Sequence, residues 1–181
     1  MYPQLPIEVD SQTGVWSTNG LPMLYVPRHF FVNNHRAVEA LMGRDSYAEI
    51  LHEAGYRSAH FWCDSESRAH GLLGMSVFEH YLKRLSQRGW GLFSFIEVNP
   101  ATGNALIRLD HSAFVLAQEM TGEREATGKI CYMFAGWFAG AMDWVGESLG
   151  FDYKTKSREI QCAGEGHDYC IFRVEPTSGI K

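Results

Sequence analysis

Glu159-Ile-Gln-Cys162-Ala-Gly-Glu-Gly-His167-Asp-Tyr-Cys170-Ile-Phe-Arg-Val174 follows closely on Lys129-Ile-Cys131-Tyr-Met-Phe-Ala-Gly136-Trp-Phe-Ala-Gly140-Ala-Met-Asp143-Trp-Val-Gly-Glu-Ser-Leu-Gly150. Read together, the two stretches give a helix, a turn, a strand, a Gly-rich loop and a second strand. Gly150 stands where a helix-ending glycine belongs. Three of the four cysteines lie here, and Glu159 precedes Cys162 by three residues. Cys131 falls in the first turns of the helix, and the other donors flank the hairpin loop. If the hairpin folds back onto the helix start, these donors meet, and a tetrahedral metal site needs four of them. Spacing alone leaves a second reading open. Buried cysteines also serve as small hydrophobes, and the gap from Cys162 to Cys170 is wider than that of a zinc knuckle. His167 is the alternative donor within the loop.

Outward from this stretch, residues 90–98 and 105–110 alternate with period two around an Asn-Pro-Ala-Thr-Gly turn, which reads as a hairpin. Residues 112–120 fit either a strand or a short helix. Upstream the period is helical: a segment capped by Asn33 or Asn34 and ended by Gly43, a second opened by Ser46 and Glu49, and a third over 70–87. The polar run 65–68 reads as a break between the last two. The first 32 residues hold four prolines and an Asn19-Gly20 turn, giving an extended arm in which Trp16 and Tyr25 would anchor a short hairpin on the core. The expected organisation is an arm over 1–32, one domain over 33–175 and a tail over 176–181. The fold class is α+β, an antiparallel sheet of four to five strands with helices packed on one face.

The 181 residues are 45% apolar and 13% aromatic, enough for a single packed core. A formal charge of −5 with no basic stripe argues against nucleic-acid binding. The first ten residues lack a basic and an apolar signal region, and the apolar run 130–142 is too short to span a bilayer. A cytoplasmic protein with reduced or metal-bound cysteines is expected.

Gly136 and Gly140, with Ala135 and Ala139, leave one face of the long helix without bulk. Each glycine costs roughly 1 kcal/mol of helix propensity against alanine, so either close backbone approach or a ligand must offset it. Trp137 and Phe138 on this helix, Tyr81 on the third helix and Phe93 on the strand could wall an apolar pocket between helix and strand 90–98. Ordinary core packing is the competing reading. The eight histidines form no His-x3-His or His-Glu-x-x-His pattern, which gives no support to a histidine metal site. No nucleophile elbow, Walker loop or dinucleotide-binding turn is present, so nothing in the sequence argues for an enzyme.

The pattern Glu159-x2-Cys162-x3-Gly166-x3-Cys170-x-Phe172-x-Val174, with Cys131-x4-Gly136-Trp-x-Ala-Gly140 upstream, resembles the signature of the 4-vinyl reductase (hydrocarbon-binding) domain. The match covers roughly residues 105–175. That family includes a pigment-biosynthesis component and sensor domains of phenol- and toluene-responsive bacterial activators, and it shares its fold with TRAPP tethering subunits. The resemblance implies structural Zn2+ on Cys131, Glu159, Cys162 and Cys170. It also implies a small apolar or aromatic ligand near Gly136, Trp137, Phe138, Gly140, Tyr81, Phe93 and His80, the last near a ligand-bonding histidine of the phenol sensors. A homodimer and a protein partner that receives the signal follow as expectations. A reductase-type enzyme subunit and an assembly subunit are the alternatives.

Overall fold

The computed structural model describes residues 5–121 and 128–177. An N-terminal three-stranded ribbon, β1 (Glu8–Val9), β2 (Trp16–Thr18) and β3 (Leu21–Met23), leads into helices α1 (Arg28–Met42), α2 (Arg44–His70) and α3 (Met75–Gln87). Strands β4 (Leu92–Asn99) and β5 (Asn104–Asp110) follow, then α4 (Ala113–Thr121). A 3-10 turn (Tyr132–Phe134) runs into α5 (Ala135–Leu149), and β6 (Thr155–Gln161) and β7 (Cys170–Pro176) close the sequence of elements. The main sheet has the order β4-β5-β7-β6 and is antiparallel throughout. Alternation puts Ala105, Ile107 and Leu109 of β5, and Cys170, Phe172 and Val174 of β7, into the core beneath the helices. The chain is therefore an α+β domain with a four-stranded antiparallel sheet.

Several boundaries differ from those read in sequence. Residues 65–68 continue α2 without a break, because Asp64–Arg68 and Glu66–His70 pairs across successive turns satisfy their polar side chains on the helix surface. The break comes instead at Gly71, left-handed at φ 63°, and Gly74 at φ 53°. The first helix starts at Arg28, directly after Pro27, a residue that pre-sets the helix entry. The segment left open between strand and helix forms α4, which starts at Ala113. The sequence reads the long helix from about Ala126, a start that lies outside the described residues; the helix begins at Ala135, and Cys131 sits in a turn before it with ψ 11°. Trp16 and Tyr25 stack on each other at 5.9 Å, but Tyr25 is 86% exposed, so the pair does not anchor the ribbon on the core.

The seam between α2 and α5 sets the rest. A Cβ at Gly136 would overlap the His52 carbonyl and come within 2.7 Å of His52 Cα, and one at Gly140 would lie 3.0 Å from Tyr56 Cα. In return, Gly55 of α2 makes room for Trp137, whose Nε1 would lie 2.9 Å from an added Cβ. Small residues on both helices thus let the backbones touch, which is the packing alternative weighed from sequence. Asp143, fully buried in α5, ties the seam to the sheet. It accepts from Tyr56 Oη at 2.8 Å, from the Thr155 amide at 2.8 Å and from Thr155 Oγ1 at 2.7 Å. Burial and the Asp143 carboxylate push the Tyr56 hydroxyl up to about 12. Because the obstacle at Gly136 is rigid backbone, Gly136→Ala should lower stability by about 2–3 kcal/mol despite its better helix propensity. Equilibrium urea unfolding checks this, and an unchanged midpoint would contradict the seam.

Candidate functional site

The turn before α5 and the C-terminal hairpin bring four donors together. Cys131, Glu159, Cys162 and Cys170 are all buried, and one ligand atom from each lies within 4.8 Å of the others. The three sulfur atoms form a nearly regular triangle, with Cys131–Cys170 at 3.7 Å, Cys162–Cys170 at 3.8 Å and Cys131–Cys162 at 3.9 Å. All are free thiols. The group can hold a metal ion.

Local structure explains the convergence. A register shift between Glu159 and Gln161 bends β6 as it reaches the loop. Cys162 then caps the short 3-10 turn Ala163–Glu165, its sulfur accepting from the Gly164 amide at 3.3 Å while Glu165 accepts from the Cys162 amide at 3.1 Å. Cys170 Sγ accepts from the Ala163 amide at 3.3 Å, and the Ser112 hydroxyl lies 3.0 Å from Cys131 Sγ. The amides aimed at sulfur favour its anionic form, as partners of ligated thiolates do. Glu159 Oε2 accepts from the Cys131 amide at 2.9 Å, which fixes the carboxylate, while its buried Oε1 has no hydrogen-bond partner among the described residues. His167 is exposed in the loop and stands outside the group, and Cys63 is buried between helices.

Charge is unevenly shared in this cluster. Cys162 is held far below the ordinary thiol range by the thiols of Cys131 and Cys170 donating to it. Burial, and then the negative Cys162, push Glu159 up to about 10. Burial likewise drives Cys131 well up.

The residues expected around an apolar ligand do not line one space. Gly136 and Gly140 sit in the α2–α5 seam, where the α2 backbone occupies the room they leave. Phe93 and Phe138 meet edge to face at 5.9 Å, Phe138 meets Phe172 at 5.0 Å and Phe134 meets Trp137 at 5.2 Å. These rings fill the interval between α5 and β4 where the pocket was expected. Tyr81 packs on Trp62 at 4.8 Å, and His80, stacked on the same indole, bonds Glu66 at 2.9 Å. Cavities lie elsewhere. A groove of about 530 Å3 runs between α3 and β4, lined by Leu82, Lys83, Ser86, Phe93 and Phe95. A more polar cleft of about 700 Å3 lies over Glu159, between Arg44, Glu49 and His52 of α2 and Lys156 and Arg158 of β6. The cleft over Glu159 was not legible beforehand, since it joins side chains from elements far apart in sequence, whereas the groove lies between two consecutive elements.

Known proteins match in two ways. Residues 1–96 match a family described as "Domain of unknown function (DUF5943)", and no curated protein matches the sequence significantly. The fold is similar to the phenol-responsive sensory domain of the transcription activator PoxR with phenol, at a TM-score of 0.75 and 14% identity over 94% of this chain and 84% of that one. It is also similar to a trafficking protein particle complex subunit 3 from Naegleria fowleri covalently bound to palmitic acid, at a TM-score of 0.56 and 12% identity over 85% and 97%. A vinyl-4-reductase family protein from Methanocaldococcus jannaschii gives 0.51 and 18% over 86% and 85%. The fold relationship expected from the cysteine pattern is present. No described helix is long and apolar enough to cross a membrane.

The two shifted groups oppose one another in the metal-free protein. Folded Glu159 keeps a proton that the unfolded chain loses above 4.5, so its contribution to stability falls as pH rises towards about 10. Folded Cys162 has already lost a proton that the unfolded chain keeps up to 9.0, so its contribution rises over the same window. These slopes offset between those limits. Metal binding must additionally expel the protons on Glu159, Cys131 and Cys170, so the melting-temperature gap between metal-loaded and chelator-treated protein should widen between about pH 5 and 9. A gap independent of pH in paired thermal melts would contradict this proton inventory.

Proposed function

The chain belongs to the family described as a domain of unknown function (DUF5943), whose match ends at residue 96 before the sulfur cluster begins, and we propose from the site that it is a zinc-stapled module for binding or sensing a small, largely apolar molecule. One observation carries the reading. Tetrahedral Zn2+ with metal–sulfur bonds of about 2.3 Å requires sulfur–sulfur edges of about 3.8 Å, and the three edges here are 3.7, 3.8 and 3.9 Å. Glu159 Oε1, buried without a hydrogen-bond partner, supplies the fourth donor. Four protein ligands leave no open coordination position, so the ion is structural and fixes the hairpin to the turn before α5.

The ligand proposed is aromatic or aliphatic and small, seated in the α3–β4 groove against Phe93 and Phe95. The fold likeness to a phenol-responsive sensory domain supports this class. The remaining expectations belong to the same proposal: residues 33–175 as one domain behind an N-terminal arm, a homodimer, a cytoplasmic setting and a protein partner that receives the signal.

Protein purified without chelator should carry one zinc per chain by elemental analysis. Cys162→Ser should lose the metal and melt at lower temperature. Phenol, cresol, toluene and medium-chain fatty acids form the ligand panel for thermal-shift assays. At least one should raise the melting temperature of the parent protein and fail to do so in Lys83→Trp, which adds bulk to the groove wall from an exposed position while retaining zinc. Absence of metal would refute the staple; no ligand response in zinc-replete protein would refute the sensor.

A further inference from the structure

Glu66 and His70 stand one turn apart at the end of α2, and His80 faces them from α3 across the four-residue turn 71–74. Both imidazoles aim the same nitrogen at the same carboxylate oxygen: His80 Nε2 lies 2.9 Å and His70 Nε2 3.3 Å from Glu66 Oε2. The three donor atoms all fall within 4.8 Å of one another. We propose that Glu66, His70 and His80 form a second metal site, which takes a borderline divalent cation such as Zn2+, Ni2+ or Cu2+.

Three features make this more than a pair of surface contacts. The His80 ring is stacked on Trp62 at 5.6 Å and 19°, so its plane is held before any ion arrives. The turn that brings α3 back is itself fixed, with Ser67 Oγ donating to the Leu72 carbonyl at 2.8 Å and Ser76 Oγ to the Leu73 carbonyl at 2.7 Å. Exposure grades outward: 16% for the Glu66 side chain, 24% for His80 and 43% for His70. An ion can therefore enter from solvent, and its outer positions stay open to water or to an anionic ligand. Two imidazoles and one carboxylate are a donor set found where zinc keeps an exchangeable position. The site shares no residue with the sulfur cluster. An ion bound here would link α2 to α3 directly beside Tyr81.

The test uses the full chain with its sulfur cluster already saturated by zinc and excess metal removed. Ni2+ is then titrated by calorimetry and by tryptophan emission, with Cu2+ as a second probe. One additional Ni2+ per chain is expected, and both ions should quench emission through Trp62. His70→Ala, at a largely exposed position, and Glu66→Gln should each weaken binding at least about tenfold, whereas exposed His167→Ala should leave it unchanged. Trp62→Phe should retain calorimetric binding but lose most of the optical response. Co2+ distinguishes the sites, since a nitrogen–oxygen site gives weak visible bands without the intense sulfur-to-metal absorption of a thiolate site. No saturable binding in the parent, or equal affinity in parent, His70→Ala and Glu66→Gln, would overturn the assignment.

Discussion

Two helices can bring their backbones into contact only where at least one of them presents no side chain, and the contact between α2 and α5 is built on that constraint. Gly136 and Gly140 receive the backbone of α2 at His52 and Tyr56, while Gly55 receives the Trp137 indole. Three glycines within helices are each costly by roughly 1 kcal/mol in propensity. What offsets them is reciprocal packing, together with a buried Asp143 whose two oxygens are shared between α2 and the start of β6. The seam fixes where α5 begins, and so fixes the turn that carries Cys131 above the C-terminal hairpin. The donor cluster is therefore a consequence of helix packing as much as of the hairpin.

At the cluster the packing problem becomes an electrostatic one. Three thiols and a carboxyl, all buried, cannot all be ionised without a compensating cation, because burial penalises each charge. The metal-free protein answers by leaving negative charge on Cys162 and a proton on Glu159. Amides of Ala163 and Gly164 already point at sulfur, which lowers the reorganisation that a bound ion would require.

Much of this was legible in the sequence where periodicity or local spacing carried the information. The alternation in β5 and β7, the glycine that ends α5 and the Glu159, Cys162 and Cys170 donors are local signals, and the structure brings those donors together. What escaped depended on which side chains meet, whether one turn along a helix or between elements, and periodicity does not carry that. The polar stretch 65–68 looks like a break until its pairs along the helix surface are seen. The small face of α5 is compatible with a cavity or with a second backbone, and only the position of α2 decides. The Glu66–His70–His80 group spans a helix, a turn and another helix, so neither a His-x3-His nor a metalloprotease spacing reveals it. Glu66 and His70 one turn apart were a partial signal.

In the order β4-β5-β7-β6, β7 is an interior strand, paired on one side with β5 and on the other with β6. Of the sheet's four strands it is also the last in sequence order, and so the last of them to be synthesised. Until it arrives, the inner edge of β5 offers unpaired amides and carbonyls and β6 has no neighbour, so two halves of the sheet wait on one late segment. The apolar underside of β5 is incomplete until then as well, since Phe172 of β7 stands beside Ile107 in register. Completion of the sheet, burial of its core face and delivery of the final sulfur, Cys170, are consequently a single event in the life of the nascent chain.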